Sequence, residues 1–389
     1  MDCFDKKILV KNMKQLTFKI CVYVLLSLNV VIFFSQLHFN SWNSLNLNWE
    51  RRIQSLDNGS DVGSTEGTPR FLTTTEASDT VTVRSTGCKT KPRVKLNLNA
   101  DDVIVFLHIQ KTGGMHLRRL LVSWIQDVPE CRCSGLCVCQ TGNNVTWLAA
   151  WFIRGFTCGL HADWTELTEC VDTWLRSVEP QRSHRNYHYI TYLRDPVNRF
   201  ISEWMHVRRG AYWPKEYLCN GRNATPSELP RCAGGGPWRD VTFDEFVGCS
   251  HNLAFNRMTR MLANLSLVNC YNRTGLSKDF VDKTLLNSAK ENLRAMEFFG
   301  LTEEQEKSQF LFEVTFGVLL AKRIMNDEFT RASHIDVNHT MLSVIKEHND
   351  LDIELYKYAR GLFTQRVMEA ESRVGCNASV YLHSRFPDE

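Results

Sequence analysis

The sequence predicts an α/β fold, a parallel sheet flanked by helices, on three observations. The stretch DDVIVFLHIQKTGGMHLRRLLVSWI opens with the apolar run Val103 to Leu107. A Gly-bearing turn follows, and then Leu117, Leu120, Leu121 and Trp124 recur at helical spacing. A second junction repeats the pattern: YHYITYL over 187–193 is strand-like, and Arg194-Asp195-Pro196 leads into VNRFISEWMHVRR. A third begins with the short apolar strand Phe298 to Leu301, with Thr302-Glu303-Glu304-Gln305 written as a capping box after it. Strands alternating with helices in this way build parallel sheets with helices on their faces.

In the first junction, loop and helix-start N–H groups point at an anion, Gly lets the backbone approach, and Lys111 adds a point charge. The spacing is not that of a Walker loop, which disfavours nucleotide hydrolysis. An ordinary strand-to-helix turn is the plain alternative for K-T-G-G alone. In the second junction Asp195 suits an N-cap and Pro196 the first helical position. Arg194 falls at the strand's C-terminal edge, where α/β sheets bind ligands. Ser202 lies two turns into the helix on about the same side. The pair is suited to a second phosphate.

The 389 residues carry 46 Lys and Arg against 43 Asp and Glu. Five of those Lys and two of the Asp lie in residues 1–19, and without them the chain is neutral. Bulk charge therefore supplies no attraction for a polyanion; basic residues must be gathered at a site, and nucleic acid is not an expected partner. Residues 20–37, ICVYVLLSLNVVIFFSQL, suffice to span a bilayer as a helix. With all five nearby Lys before it, the N-terminus stays cytoplasmic and the rest crosses. A cleaved signal peptide is the alternative, but the apolar run is long and no small-residue cleavage site follows. Residues 38–100, rich in Ser, Thr, Asn and Gly, read as a flexible stem. Residues 101–370 form the folded body, and 371–389 read as a loose tail.

Two counts fit a luminal body. Sequons occur at Asn58, Asn144, Asn223, Asn264, Asn272, Asn338 and Asn377. Of 14 Cys, 12 lie beyond the apolar run, an even number that reads as disulfides in an oxidising compartment. The quartet Cys131, Cys133, Cys137 and Cys139 has zinc as its alternative, and its pairing is not readable from spacing.

The stretches FLHIQKTGG, CGLHADWTEL, YITYLRDPVNRFISEW, HVRRGAYW, NLAFNRMTRMLANLSLVNCYN, FFGLTEEQEKSQFLFEVTF and NDLDIELYKYARGLF resemble the heparan sulfate 6-O-sulfotransferases over about 101–368. The resemblance implies a P-loop-like sulfotransferase fold, with added helical and loop segments forming an acceptor cleft. It implies 3′-phosphoadenylyl sulfate (PAPS) as donor, heparan sulfate chains as acceptor partner, no metal requirement, and a single-pass type II Golgi membrane protein. The loop His108, Ile109, Gln110, Lys111, Thr112, Gly113, Gly114, Met115 and His116 would hold the 5′-phosphosulfate, with Lys111 neutralising the leaving phosphate. Arg194 and Ser202 would bind the 3′-phosphate, and Met325, Asn326, Asp327, Arg331 and Ala332 would complete the donor pocket. His161 would be the general base, its imidazole suited to taking the proton of a primary sugar hydroxyl.

The same resemblance puts His206 and Trp213 against the sugar chain, with Arg208 and Arg209 between them. This sequence departs from the family on the acceptor side. Met115 and His116 replace hydroxylated residues, and Gly135 and Leu136 replace a Lys pair. Trp151 stands where an acceptor-contacting Arg is expected, and Phe156 replaces a Trp. Those changes motivate two further readings: a sulfated-glycan binder of the same fold with weak or no activity, or a sulfotransferase acting at another glycan position. Leu351, Leu355, Tyr358 and Leu362 form a helical stripe that reads as core.

Overall fold

The computed structural model describes residues 88, 92–94, 96–98, 101–126, 131–182, 184–213, 217–234, 236–324 and 335–387. The tail and apolar run at 1–37, nearly all of the stem, and Met325, Asn326, Asp327, Arg331 and Ala332 lie outside the described residues. Among the described residues no helix is long and apolar enough to cross a membrane.

A four-stranded parallel sheet organises the body. Its strands are β1 (Asp102–Phe106), β4 (Leu148–Ala149), β5 (Asn186–Leu193) and β8 (Phe298–Leu301), in the order β4-β1-β5-β8. β1 and β5 pair from Asp102 with Asn186 to Phe106 with Ile190, and β5 continues onto β8 from Ile190 with Phe298 to Leu193 with Leu301. β1 is buried along its whole length, as expected for a central strand covered on both faces, and β8, at the end of the strand order, is buried likewise. Two small hairpins lie apart from it: β2 (Arg132–Ser134) with β3 (Leu136–Val138), and β6 (Leu218–Cys219) with β7 (Arg222–Asn223).

Helices follow the strands. They are α1 (Gly114–Arg119), α2 (Trp164–Val178), α3 (Pro196–Arg208), α4 (Phe243–Gly248), α5 (Arg257–Leu262), α6 (Lys278–Ala295), α7 (Gln305–Phe316), α8 (His339–His348), α9 (Asp350–Val374) and α10 (Ala378–Arg385). α1 runs on into a π turn at Leu120–Trp124. Leu117, Leu120 and Leu121 are buried, as their spacing predicts. At α3 the Asp195 side chain accepts the N–H of Asn198 at 2.9 Å, and Pro196 opens the helix.

The predicted capping box at Thr302 does not form. The N-cap of α7 is Glu304, whose side chain makes no capping bond, and the Thr302 hydroxyl goes to tertiary partners instead. Reciprocal boxes occur at Asp163 with Glu166 and at Thr242 with Glu245. The expected stripe on α9 buries Leu355 fully and leaves Leu351, Tyr358 and Leu362 half-buried against the core.

The C-terminal residues differ from the loose tail read in the sequence. α9 continues to Val374, and α10 buries Tyr381 and Leu382. The reason is tertiary: buried Glu313 on α7 accepts from the Tyr381 hydroxyl at 3.1 Å and from the Arg385 guanidinium. Cys376, just before α10, is bonded to Cys88, which brings the end of the stem region onto the body. The other pairs are Cys131–Cys139, Cys133–Cys137, Cys158–Cys170, Cys219–Cys270 and Cys232–Cys249. The quartet at 131–139 thus resolves into two nested disulfides, leaving no thiolate there for a metal.

Candidate active site

The parallel sheet ends β1, β5 and β8 at one edge, and the segments leaving that edge build the site. After β1 the chain turns through Lys111, at φ 68°, and Gly113, at φ 81°, before α1 begins. The left-handed conformation at Lys111 is unusual for a residue with a side chain and belongs to a tight, over-determined turn. At Gly114 an added Cβ would lie 2.1 Å from His108 Cδ2, so only glycine lets the His108 ring fold under the start of the helix.

Two neighbours fix the orientation of this loop. Arg194 Nη1 donates to the Lys111 carbonyl at 3.3 Å. The Thr302 hydroxyl lies 2.9 Å from the Thr112 carbonyl and 3.0 Å from that of Leu193, so it joins the loop to the end of β5. In a trans peptide the C=O and N–H point in opposite directions. Turning the Lys111 and Thr112 carbonyls towards Arg194 and Thr302 therefore turns the N–H groups of Thr112 and Gly113 the other way. The Thr112 hydroxyl, buried, donates to the Ile109 carbonyl at 3.0 Å and tightens the same turn. Gln110 is also buried, with no donor to its Oε1 among the described residues.

Arg194, from the second sequence-predicted phosphate grip, thus touches the loop of the first. Arg194 is only 8% exposed; burial pulls its guanidinium below its ordinary value, and Glu303 and Asp195 act against that. It stays a cation, since a guanidinium is not deprotonated in proteins. Ser202 sits half-exposed on α3. That helix is braced from behind: Glu203 receives both Arg199 and Arg257. Asp352 of α9 accepts the N–H groups of Met258 and Thr259 at 3.0 and 2.8 Å. Burial alone would raise the Glu203 carboxyl, but Arg257 and Arg199 hold it below its ordinary value.

His161 enters from the segment before α2. The Asp163–Glu166 capping box, with both residues buried, fixes where that helix starts and so where His161 points. His161 is 5% exposed, and its Nδ1 lies 3.1 Å from the His108 carbonyl oxygen. A carbonyl only accepts, so the bond places the proton on Nδ1 and the lone pair on Nε2. His108 itself is held neutral: burial first, and then Lys111, push its imidazole down to about 3.

Aromatic rings continue from this pair as one row. Trp151 stacks on His108 at 5.8 Å, His108 meets His161 at 4.7 Å, His161 meets Trp213 edge-on at 5.7 Å, and Trp213 meets His206 at 5.6 Å. Four of the five sequence-predicted acceptor residues, Trp151, His161, His206 and Trp213, are therefore brought together. The fifth, Phe156, is not: its ring packs edge-on against Trp174 at 5.0 Å. Met115 is 43% exposed at the start of α1, and His116 is half-buried beside it. Arg208 lies 5.9 Å over the Trp204 ring, outside the row. Sequence reasoning missed Thr302; its only signal is a hydroxyl directly after a strand end that faces the phosphate-type loop.

A family model described as the sulfotransferase family matches residues 95–359. The chain is 50% identical over 281 residues to heparan-sulfate 6-O-sulfotransferase 3 of Mus musculus, covering 70% of this chain and 60% of the relative. It is 49% identical over 280 residues to heparan-sulfate 6-O-sulfotransferase 1 of Cricetulus griseus, covering 70% of each. To heparan-sulfate 6-O-sulfotransferase 2 of Gallus gallus it is 48% identical over 281 residues, again 70% of each. The matched stretch thus spans about 60% of the length of the mouse relative. The family match at 95–359 contains the loop at 108–116, Arg194, His161 and the ring row, and on this extent of match the chain belongs to the sulfotransferase family, among the heparan-sulfate 6-O-sulfotransferases.

Proposed function

We propose that this protein transfers a sulfonyl group from PAPS to the 6-hydroxyl of glucosamine residues in heparan sulfate, with His161 as the general base. The observation that carries the reading is the His161 Nδ1 to His108 carbonyl bond, which ties the base to the loop that begins at His108. That loop fits a phosphosulfate: its carbonyls are drawn aside by Arg194 and Thr302, and Lys111 supplies positive charge. PAPS supplies the activated sulfonyl group and, on its 3′ side, a phosphate suited to Arg194 and Ser202.

In the step proposed, His161 Nε2 takes the proton of the sugar hydroxyl as that oxygen bonds to sulfur. The bond from sulfur to the phosphate oxygen breaks in line, and the leaving bisphosphate keeps the electron pair. Lys111 and the loop N–H groups stabilise the charge that develops there. The ring row gives sugar faces apolar and edge contacts beside the base.

The same reading proposes a Golgi type II membrane protein with 20–37 as anchor, 38–100 as stem and the body in the lumen. The six disulfides among the described residues suit that compartment. The sequon residues Asn264, Asn338 and Asn377 cap helices through a side-chain oxygen, which leaves the amide nitrogen for a glycan.

The test is disaccharide analysis after incubating the purified protein with labelled PAPS and desulfated heparan sulfate. Label in 6-O-sulfated glucosamine supports the reading. Label at another position, or heparin binding without transfer, rejects it in favour of a different specificity or a binding protein.

A further inference from the structure

Away from the ring row, α6 and α9 enclose an open groove of about 980 Å³. Five cations line it, Arg93, Lys290, Arg294, Lys357 and Arg366, against two carboxylates, Glu354 and Glu369. In a chain whose charge is otherwise balanced, this is a local concentration of positive charge. We propose that the groove is a second binding site for an acidic glycan, gripping a segment of the chain remote from the residue being modified. The choice of glycan rests on the reading given under Proposed function.

The strongest observation is Arg366. It is 6% exposed, and its Nη2 donates to the Arg294 carbonyl at 2.8 Å. Its guanidinium carbon lies 5.1 Å over the Phe299 ring. Its Nη1 has no acceptor among the described residues. A buried guanidinium with an unmatched N–H costs free energy unless an anion completes it, and the planar fork suits sulfate or carboxylate oxygens. Burial, and then Arg93, push its pKa down to about 10, which also favours a site waiting for an anion.

Gly361 is a second and independent sign. It lies inside the 25-residue helix α9, where glycine is less favourable than alanine. An added Cβ there would meet nothing within 4 Å, so packing does not demand it. It lines the groove, and its missing side chain leaves room for a ligand to approach the helix.

The location explains the use. Tyr356 of α9 bonds to Glu303, whose other oxygen accepts the Asp195 N–H at the active edge of the sheet. Arg366 is ten residues further along the helix, about 15 Å away. It packs on Phe299 in β8, towards the start of that strand. A linear polyanion can occupy both places. Binding at two linked places raises the effective affinity for long chains over short ones.

The experiment compares the full chain with Arg294→Ser/Lys357→Ser, which removes two side chains without touching the Arg294 carbonyl, and with Gly361→Leu, which fills the groove without changing charge. Heparin oligosaccharides, short and long, are titrated against each protein over a range of salt, with backbone hydrogen exchange of 354–369 followed in parallel. Long heparin should protect 354–369 in the wild type. The double variant should bind long chains about 10-fold more weakly, with a slope of log affinity against log salt shallower by about one to two. Gly361→Leu should weaken long-chain binding while leaving the melting temperature unchanged or higher. Short-chain affinity should stay the same in all three.

Wild-type affinity and salt slope in both variants would overturn the proposal. So would protection of 354–369 by inorganic sulfate alone at equal sulfate concentration. Binding is read without turnover, so the two readings separate. A protein that sulfates glucosamine normally but shows no groove effect rejects the groove alone. One that shows the groove effect but no transfer rejects the enzymatic reading and keeps the groove.

Discussion

The hydroxyl of Thr302 lies 2.9 Å from the carbonyl of Thr112, joining the residue that leaves β8 to the loop that leaves β1 across 190 positions of sequence. The same hydroxyl lies 3.0 Å from the Leu193 carbonyl, so one side chain at the end of β8 faces both the loop after β1 and the end of β5. Thr302→Val keeps the shape and removes the hydroxyl donor, leaving the Thr112 carbonyl without it, while the Leu193 carbonyl keeps the backbone N–H of residue 302 at 2.9 Å. The expected cost is about 1–2 kcal/mol, appearing as roughly 10-fold weaker binding of 3′,5′-bisphosphoadenosine with little change in fold. Calorimetric titration measures this; unchanged affinity would show that the loop holds its shape without Thr302.

Gly114→Ala probes the same loop sterically. A Cβ 2.1 Å from the His108 ring forces that ring out from under α1. Because the His108 carbonyl orients His161, the displacement reaches the proposed base. The expected loss is at least about 100-fold in transfer, since displacements near 1 Å at a reacting centre have that effect. Far-ultraviolet circular dichroism should remain native. Activity within a few-fold of wild type would mean that the turn can repack freely.

How much of this was legible in the sequence follows range. The two strand–loop–helix junctions were readable because their signals are local: an apolar run, Gly113 and Gly114, and Asp195-Pro196. The ring row was named residue by residue only through resemblance; as a geometry it was hidden, because Trp151, His161, His206 and Trp213 meet only when the folded chain brings them together. Thr302 was misread because a capping box and a tertiary clasp use the same residue type at the same strand end. The C-terminal segment was misread because its order comes from partners far away, Glu313 for Arg385 and Cys88 for Cys376.

The Cys88–Cys376 bond gives a direct test of that last point. It closes a loop of 288 residues and holds α10 near α7. Cys376→Ser should destabilise the protein by about 2–5 kcal/mol. Denaturant unfolding under non-reducing conditions measures it. A loss well below 1 kcal/mol would show that Glu313, Tyr381 and Arg385 hold the segment unaided.

His108 predicts a pH effect whose sign is fixed. Its pKa is near 3 when folded and about 6.5 when unfolded, so between these values the unfolded chain binds the extra proton. Stability contributed by the neutral ring is therefore complete above about pH 6.5 and falls as pH drops towards 3. Relative to His108→Gln, the wild type should lose up to about 2 kcal/mol between pH 7 and pH 5. Urea titrations at both pH values check this, and parallel curves for the two proteins would place His108 in water rather than under α1.

The most direct measurement of the central claim is transfer by His161→Ala, paired with the melting shift caused by 3′,5′-bisphosphoadenosine. Arg194, Lys111 and Thr302 are untouched in this variant, so the bisphosphate should raise its melting temperature as much as that of the wild type. Arg194→Ala, the control, should lose much of that shift. Transfer to the glucosamine 6-hydroxyl should fall by about two to four orders of magnitude in His161→Ala, the usual contribution of a general base. A variant that keeps the melting shift and transfers sulfonyl groups as fast as the wild type would contradict the assignment of His161.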